Sequence, residues 1–183
     1  MGQRTAFLVK KNYKEGTSDI RLIHHQWGIG DVQHKYFMRE MLAFETSRQY
    51  NKNKLKDCFK FESYYGDNIN RDTIYFEKVY SKSDKTPNIF DLKIRCKLFD
   101  LTCNNNGGMI IEITQNPDHD WEIDNIKTAF VLGSEECVNY EDRFKKLVTG
   151  EEYIKLTDPN LHPLSSDMWN NFVKFYEIEE IKN

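Results

Sequence analysis

The run Ile20 to Trp27 constrains the fold of this chain more than any other, because it carries apolar residues on both of its faces. In an extended strand successive side chains point to opposite sides. Ile20, Leu22 and His24 therefore share one face, and Arg21, Ile23 and His25 the other. Neither set is purely polar, and a strand of that kind lies inside a sheet. The preceding run, Thr5 to Tyr13, is also rich in β-formers. Glu15-Gly16-Thr17-Ser18-Asp19 between the two is turn chemistry, so the first thirty residues read as a β-hairpin.

Further strands follow by the same logic. Thr73 to Tyr80 alternates well enough for one, with Ser81 to Pro87 as a polar connector. The turn cluster Asn104-Asn105-Asn106-Gly107-Gly108 introduces Met109 to Thr114, which a connector joins to Ile126 to Leu132 as a second hairpin. Helical periodicity appears after Asp31, a plausible N-cap for Val32 to Gln49, where Phe37, Met41 and Phe44 fall on one stripe. A C-terminal helix capped by Ser165 or Ser166 carries Trp169, Phe172, Val173 and Tyr176. Tyr140 to Val148 reads as a helix stopped by Gly150, Leu55 to Tyr65 as a short helix or an aromatic-rich loop, and Ile89 to Leu101 has a mixed period that assigns neither state. The expected fold is α+β: a single domain over residues 1–183, with an antiparallel β-sheet built from two hairpins and amphipathic helices packed on one face.

Composition supports a folded chain, since aromatic residues make up 14% of 183 and disordered chains are poor in them. No apolar run approaches the ~20 residues that a membrane-spanning helix requires. Met1-Gly2-Gln3-Arg4 leads into only Ala6 to Val9 before Lys10, which is no signal peptide, and Ala6 stands where a myristoylation motif needs Ser or Thr. These features predict a cytoplasmic protein without membrane contact. Cys58, Cys96, Cys103 and Cys137 form no C-x-x-C pair and read as reduced, mostly buried thiols, with a Cys96–Cys103 disulfide as the lesser alternative.

No catalytic, cofactor or metal motif stands out. There is no G-x-S-x-G, and Cys137 follows Glu135-Glu136, neighbours that disfavour a thiolate. The expectation is a binding protein rather than an enzyme, with no cofactor. His24, His25 and His34 suggest a metal only until strand geometry is considered, since His24 and His25 point to opposite faces. Asp118-His119-Asp120, with Glu122 and Asp124 nearby, reads as turn chemistry around Asn116-Pro117 or as an acidic cation site.

Three stretches are candidate binding surfaces. His24-His25-Gln26-Trp27-Gly28-Ile29-Gly30 joins a strand end to a helix start, where free N–H groups favour anions and Trp27 could stack on a base; the other reading is a glycine turn with Trp27 as a core lid. Lys52, Lys54, Lys56 and Lys60, interleaved with Phe59, Phe61, Tyr64 and Tyr65, fit either a nucleic-acid surface or a solvated helix edge. The charge is also uneven. Residues 1–60 carry 12 Lys/Arg against 6 Asp/Glu, whereas residues 112–183 carry 7 against 16, including Glu177, Glu179 and Glu180. An acidic face of that kind can compete for a basic groove.

Met1-Gly2-Gln3-Arg4 and His24-His25-Gln26-Trp27-Gly28-Ile29-Gly30 resemble the M-G-x-R and H-x-Q-W-G-x-G of a family of small proteins from phages and mobile elements of Gram-positive bacteria. The resemblance covers about the first 45 residues, and this chain has Asp31 where members of the family often carry a basic residue. Some proteins similar to that family are anti-CRISPR inhibitors of type II nucleases. The resemblance implies a counter-defence protein that binds a Cas9-type nuclease, alone or with its nucleic acid, and blocks DNA cleavage. The alternative is a nucleotide-binding protein using the Trp27-Gly28-Ile29-Gly30 turn for sequestration or processing of a signal nucleotide.

Overall fold

Thr5–Asn12 (β1) and Ser18–His25 (β2) pair antiparallel, from Thr5 opposite His25 to Asn12 opposite Ser18. The hairpin closes as the Tyr13 N–H donates to Thr17 O at 2.9 Å and the Gly16 N–H to Tyr13 O at 2.9 Å. Gly16 has φ +88°, a value that residues with a Cβ rarely adopt, so glycine suits the turn. The Ser18 hydroxyl donates to Asn12 Oδ1 at 2.8 Å, which extends β2 two residues beyond its expected start at Ile20.

The computed structural model describes residues 4–25, 73–102, 106–119, 123–134, 137, 139–156 and 166–183. Their remaining elements are Thr73–Tyr80 (β3), Leu92–Phe99 (α1), Gly108–Gln115 (β4), Ile123–Val131 (β5), Leu147–Val148 (β6), Gly150–Leu156 (α2), Ser166–Tyr176 (α3) and Glu179–Glu180 (β7), with a 3₁₀ turn at Tyr140–Asp142. The expected helix over Val32 to Gln49 and the unassigned stretch Leu55 to Tyr65 lie outside the described residues.

The strands form one seven-stranded sheet in the order β3-β2-β1-β4-β5-β6, with β7 also pairing β5. The architecture is α+β, but the sheet is mixed, which corrects the antiparallel expectation. β1 runs parallel to β4, with Ala6 beside Gly108 and Asn12 beside Thr114, and β7 runs parallel to β5. Close approach of β1 and β4 depends on Gly108, where an added Cβ would stand 2.5 Å from Ala6 O and 2.6 Å from Phe99 Cε1.

Helices cover both faces, not one. Phe7, Val9, Met109, Ile111 and Phe130 pack with Tyr153 of α2 and with Trp169, Phe172 and Tyr176 of α3. The alternate residues Ala6, Leu8, Ile110, Ala129 and Val131 pack with Leu98 and Phe99 of α1 and with Phe144 and Leu147. Central strands with two apolar faces require two covers, because water left against either face would cost about 25 cal/mol for each Å² of apolar surface. The interior position expected for β2 is observed, between β1 and β3.

α1 begins at Asp91, whose carboxylate accepts from Lys93 N at 2.9 Å and Ile94 N at 3.3 Å. Its inward face is Arg95, Leu98 and Phe99, spaced i, i+3 and i+4. Arg95 is 3% exposed and is solvated by backbone: Nε donates to Phe144 O at 2.9 Å, and the two other nitrogens donate to Phe90 O and Lys145 O. Burial pushes this guanidinium below its ordinary pKa, while the neighbouring Cys96 and Asp91 act in the opposite direction.

The expected helix over Tyr140 to Val148 is replaced by the 3₁₀ turn and β6, and Gly150 starts a helix instead of stopping one. The cause is a capping box, Thr149-Gly150-Glu151-Glu152. The Glu152 carboxylate accepts from Thr149 N at 2.9 Å, and Glu152 N donates to Thr149 Oγ1 at 3.2 Å. The Thr149 N–H holds the Glu152 carboxyl below its ordinary pKa.

Candidate binding surface

The two histidines end β2 and lie on opposite faces of the sheet. His24 sits opposite Ala6, on the α1 side, with its ring edge-on to Tyr75 at 5.7 Å and 76°. His25 sits opposite Thr5 on the other side and is 3% exposed. Strand alternation therefore separates them, as the sequence requires. Among the described residues no three His, Cys, Asp or Glu side chains come together as a metal site. Gln26, Trp27, Gly28 and Gly30, and the basic residues Lys52, Lys54, Lys56 and Lys60, lie outside the described residues.

Asp118 and His119 sit on an exposed turn closed by Asn116, whose Oδ1 accepts the N–H of Asp118 at 2.8 Å and of His119 at 3.3 Å. That is the turn chemistry of the N-P-D stretch; Asp120 and Glu122 lie outside the described residues. Burial raises the Cys96 thiol above its ordinary pKa, and its Sγ lies 3.8 Å from Phe144 O. Cys58 and Cys103 lie outside the described residues.

The three C-terminal glutamates are neighbours in sequence but not equivalent in the fold. Glu180 is structural: its Oε1 accepts from Trp169 Nε1 at 2.8 Å and from Gly150 N at 2.7 Å, which ties β7 to α2 and α3. Glu179 pairs with Lys127 at 3.5 Å, an exposed ion pair of little energetic weight. Glu177 is exposed at φ 52°, in the left-handed region just past the end of α3. Ile178 N–H donates to Val173 O at 2.9 Å, the six-to-one bond of a Schellman cap, and places Glu177 at the position glycine usually fills.

Glu177 lies beside the start of β5. With Phe175, Tyr176, Asp124, Asn125 and flanking isoleucines it lines a small cleft of about 80 Å³. Asp124 and Glu177 make no hydrogen bond or ion pair among the described residues. Phe175 is 40% exposed at the cleft wall, its ring edge-on to Tyr176 at 5.0 Å. Sequence reasoning placed Asp124 with the Asp118 turn and did not single out Phe175. The signal for Phe175 was available, since it falls off the Trp169, Phe172, Tyr176 stripe that faces the sheet.

No family model, curated protein or solved structure matches the chain.

Proposed function

We propose that this chain is an interaction protein, a counter-defence inhibitor that binds a Cas9-type nuclease, alone or with its nucleic acid, and blocks DNA cleavage. The observation that carries the reading is two exposed carboxylates, Glu177 just past α3 and Asp124 at the start of β5, which line one cleft and make no hydrogen bond or ion pair among the described residues. Exposed acid of this kind suits a basic groove, because no ion pair among the described residues has to break on docking. The N-terminal resemblance names the partner class, and the basic residues Lys52 to Lys60 would meet guide or target strand.

The test is cleavage of matched DNA by guide-loaded type II nucleases, with and without the protein, alongside co-elution on size exclusion. Inhibition with a stoichiometric complex is the expected result. Glu177→Lys combined with Glu179→Lys should weaken inhibition at an unchanged melting temperature. Neither inhibition nor co-elution across a panel of such nucleases would overturn the reading. Glu180 is left intact in this test because it holds Trp169 and Gly150 in place.

A further inference from the structure

We infer that the outer edge of β3 is a docking site for an extended segment of a partner protein, which adds a further strand antiparallel to it. The inference does not depend on the nuclease reading. β3 ends the sheet and, among the described residues, pairs with β2 alone, so its outer row of backbone N–H and C=O groups has no strand partner. The two sides of the sheet differ here. The far side carries only the two-residue strands β6 and β7, whereas β3 keeps eight residues without a proline. Three of the seven exposed large apolar residues among those described stand on β3: Ile74 at 54%, Tyr75 at 49% and Val79 at 69%. A long apolar edge is a template for another strand, with backbone bonds giving affinity and alternate side chains giving specificity.

Charge decides the occupant. Residues 76–80 keep an unbroken register with β2, which puts Glu77 and Val79 on the Arg21 face and Phe76, Lys78 and Tyr80 on the Ile20 face. A second copy would pair about a two-fold axis perpendicular to the sheet, which keeps every side chain on its own face. Its central registers set Glu77 opposite Glu77 or Lys78 opposite Lys78, and like charges directly opposite are destabilising. A different strand escapes that clash. Along its own direction it needs an apolar residue opposite Val79, an acid opposite Lys78, a base opposite Glu77 and an apolar residue opposite Phe76. The matching segment is therefore of the type Val-Glu-Lys-Val. Glu77 already reaches Arg21 Nε at 3.0 Å, but its side chain stays 49% exposed and open to a second cation.

The experiment titrates the ¹⁵N-labelled chain with a capped Thr-Val-Glu-Lys-Val-Thr peptide and, separately, with its swapped counterpart Thr-Val-Lys-Glu-Val-Thr. The expected result with the first peptide is saturable amide shifts centred on residues 76–80, with slowed hydrogen exchange at alternate β3 amides. The swapped peptide should bind about fivefold more weakly, because two attractive cross-strand pairs become repulsive. Glu77→Lys with Lys78→Glu should reverse the order of the two peptides. Val79→Lys, which alters neither charge of the pair, should weaken both. Equal binding of the two peptides, an unreversed order in the charge-swapped chain, unchanged binding by Val79→Lys, or no shift at β3 would each overturn the inference. So would a dimer on size exclusion whose β3 amides are already protected, which would make a second copy the occupant.

Discussion

Replacing Gly150 by alanine would place a methyl carbon 2.2 Å from Trp169 Nε1, 2.3 Å from Cε2 and 2.6 Å from Cδ1. Trp169 is 0% exposed and packs edge-on against Phe130 at 5.2 Å, so it has no free volume to move into. The methyl must therefore displace the indole, and with it the Trp169 N–H···Glu180 bond, whose acceptor atom also takes the Gly150 N–H. Overpacking costs about 1–3 kcal/mol, and losing a hydrogen bond to a charged group about 1.5–3. Against this stands a helix-propensity gain of up to about 1 kcal/mol, smaller in a first turn. The net is a loss of about 2–4 kcal/mol, or a fall in melting temperature of roughly 5–15 °C for a chain of this size. Calorimetry gives the midpoint, and the Trp169 indole N–H resonance, assigned with Trp169→Phe, reports the displaced ring. Adding Trp169→Phe to Gly150→Ala should cost less than the two single changes together, because the smaller ring relieves the clash. A Gly150→Ala protein that melts at or above the wild-type temperature would refute the reasoning, as would a lower midpoint with an unmoved indole resonance.

Glu177→Gly removes a Cβ from a left-handed position and should stabilise the fold by up to about 1 kcal/mol, whereas Glu180→Lys should destabilise it by about 2–4 kcal/mol; urea titration of both checks the opposite signs. Arg95→Met leaves the carbonyls of Phe90, Phe144 and Lys145 without their donor and should cost about 3–5 kcal/mol, and Arg95→Lys should not restore it, because one ammonium cannot reach three diverging carbonyls; both are read by chemical denaturation. The Glu152 carboxyl titrates below its ordinary value in the folded chain, so its stabilisation is present above the unfolded glutamate pKa and is lost as pH falls through the lowered folded one. Melting temperatures of wild type and Glu152→Gln should therefore differ at neutral pH and converge in acid.

Strand positions were legible because alternation is a local property. Thr73–Tyr80 matches its expected bounds, and the two-faced pattern of Ile20 to His25 placed β2 inside the sheet. Partner choice was not legible: the apolar pattern of Thr5–Asn12 is satisfied equally by a parallel or an antiparallel neighbour, and only the fold sets it beside Gly108–Gln115. α1 escaped notice because one of its three inward residues is Arg95, a charge whose donors are satisfied by carbonyls as far away in sequence as Phe144 and Lys145. At Gly150 the signal was present and was outweighed: glycine suggested a stop, while Thr149 and Glu152 spelled a capping box that starts a helix.

The acidic C-terminal third illustrates why a charge count cannot locate a surface. Glu112 is taken by Lys10 at 3.0 Å, Glu151 by Lys155 at 2.6 Å and Glu180 by Trp169 and Gly150, so part of the excess is already answered inside the fold. What remains for a partner is the subset left unpaired among the described residues, and near the end of α3 that subset includes Glu177 and Asp124, fifty-three positions apart in sequence. Charge reversal aimed at the whole run Glu177 to Glu180 would mix lost contacts with lost stability, because the Glu180 change acts through Trp169. Asp124→Lys with Glu177→Lys avoids that confusion: it should reduce binding to a basic partner while leaving the Trp169 indole resonance and the melting temperature in place. Glu180→Lys should move both. If the two proteins instead lose binding and stability in step, the carboxylates at the cleft are part of the frame, and the binding surface has to be sought elsewhere.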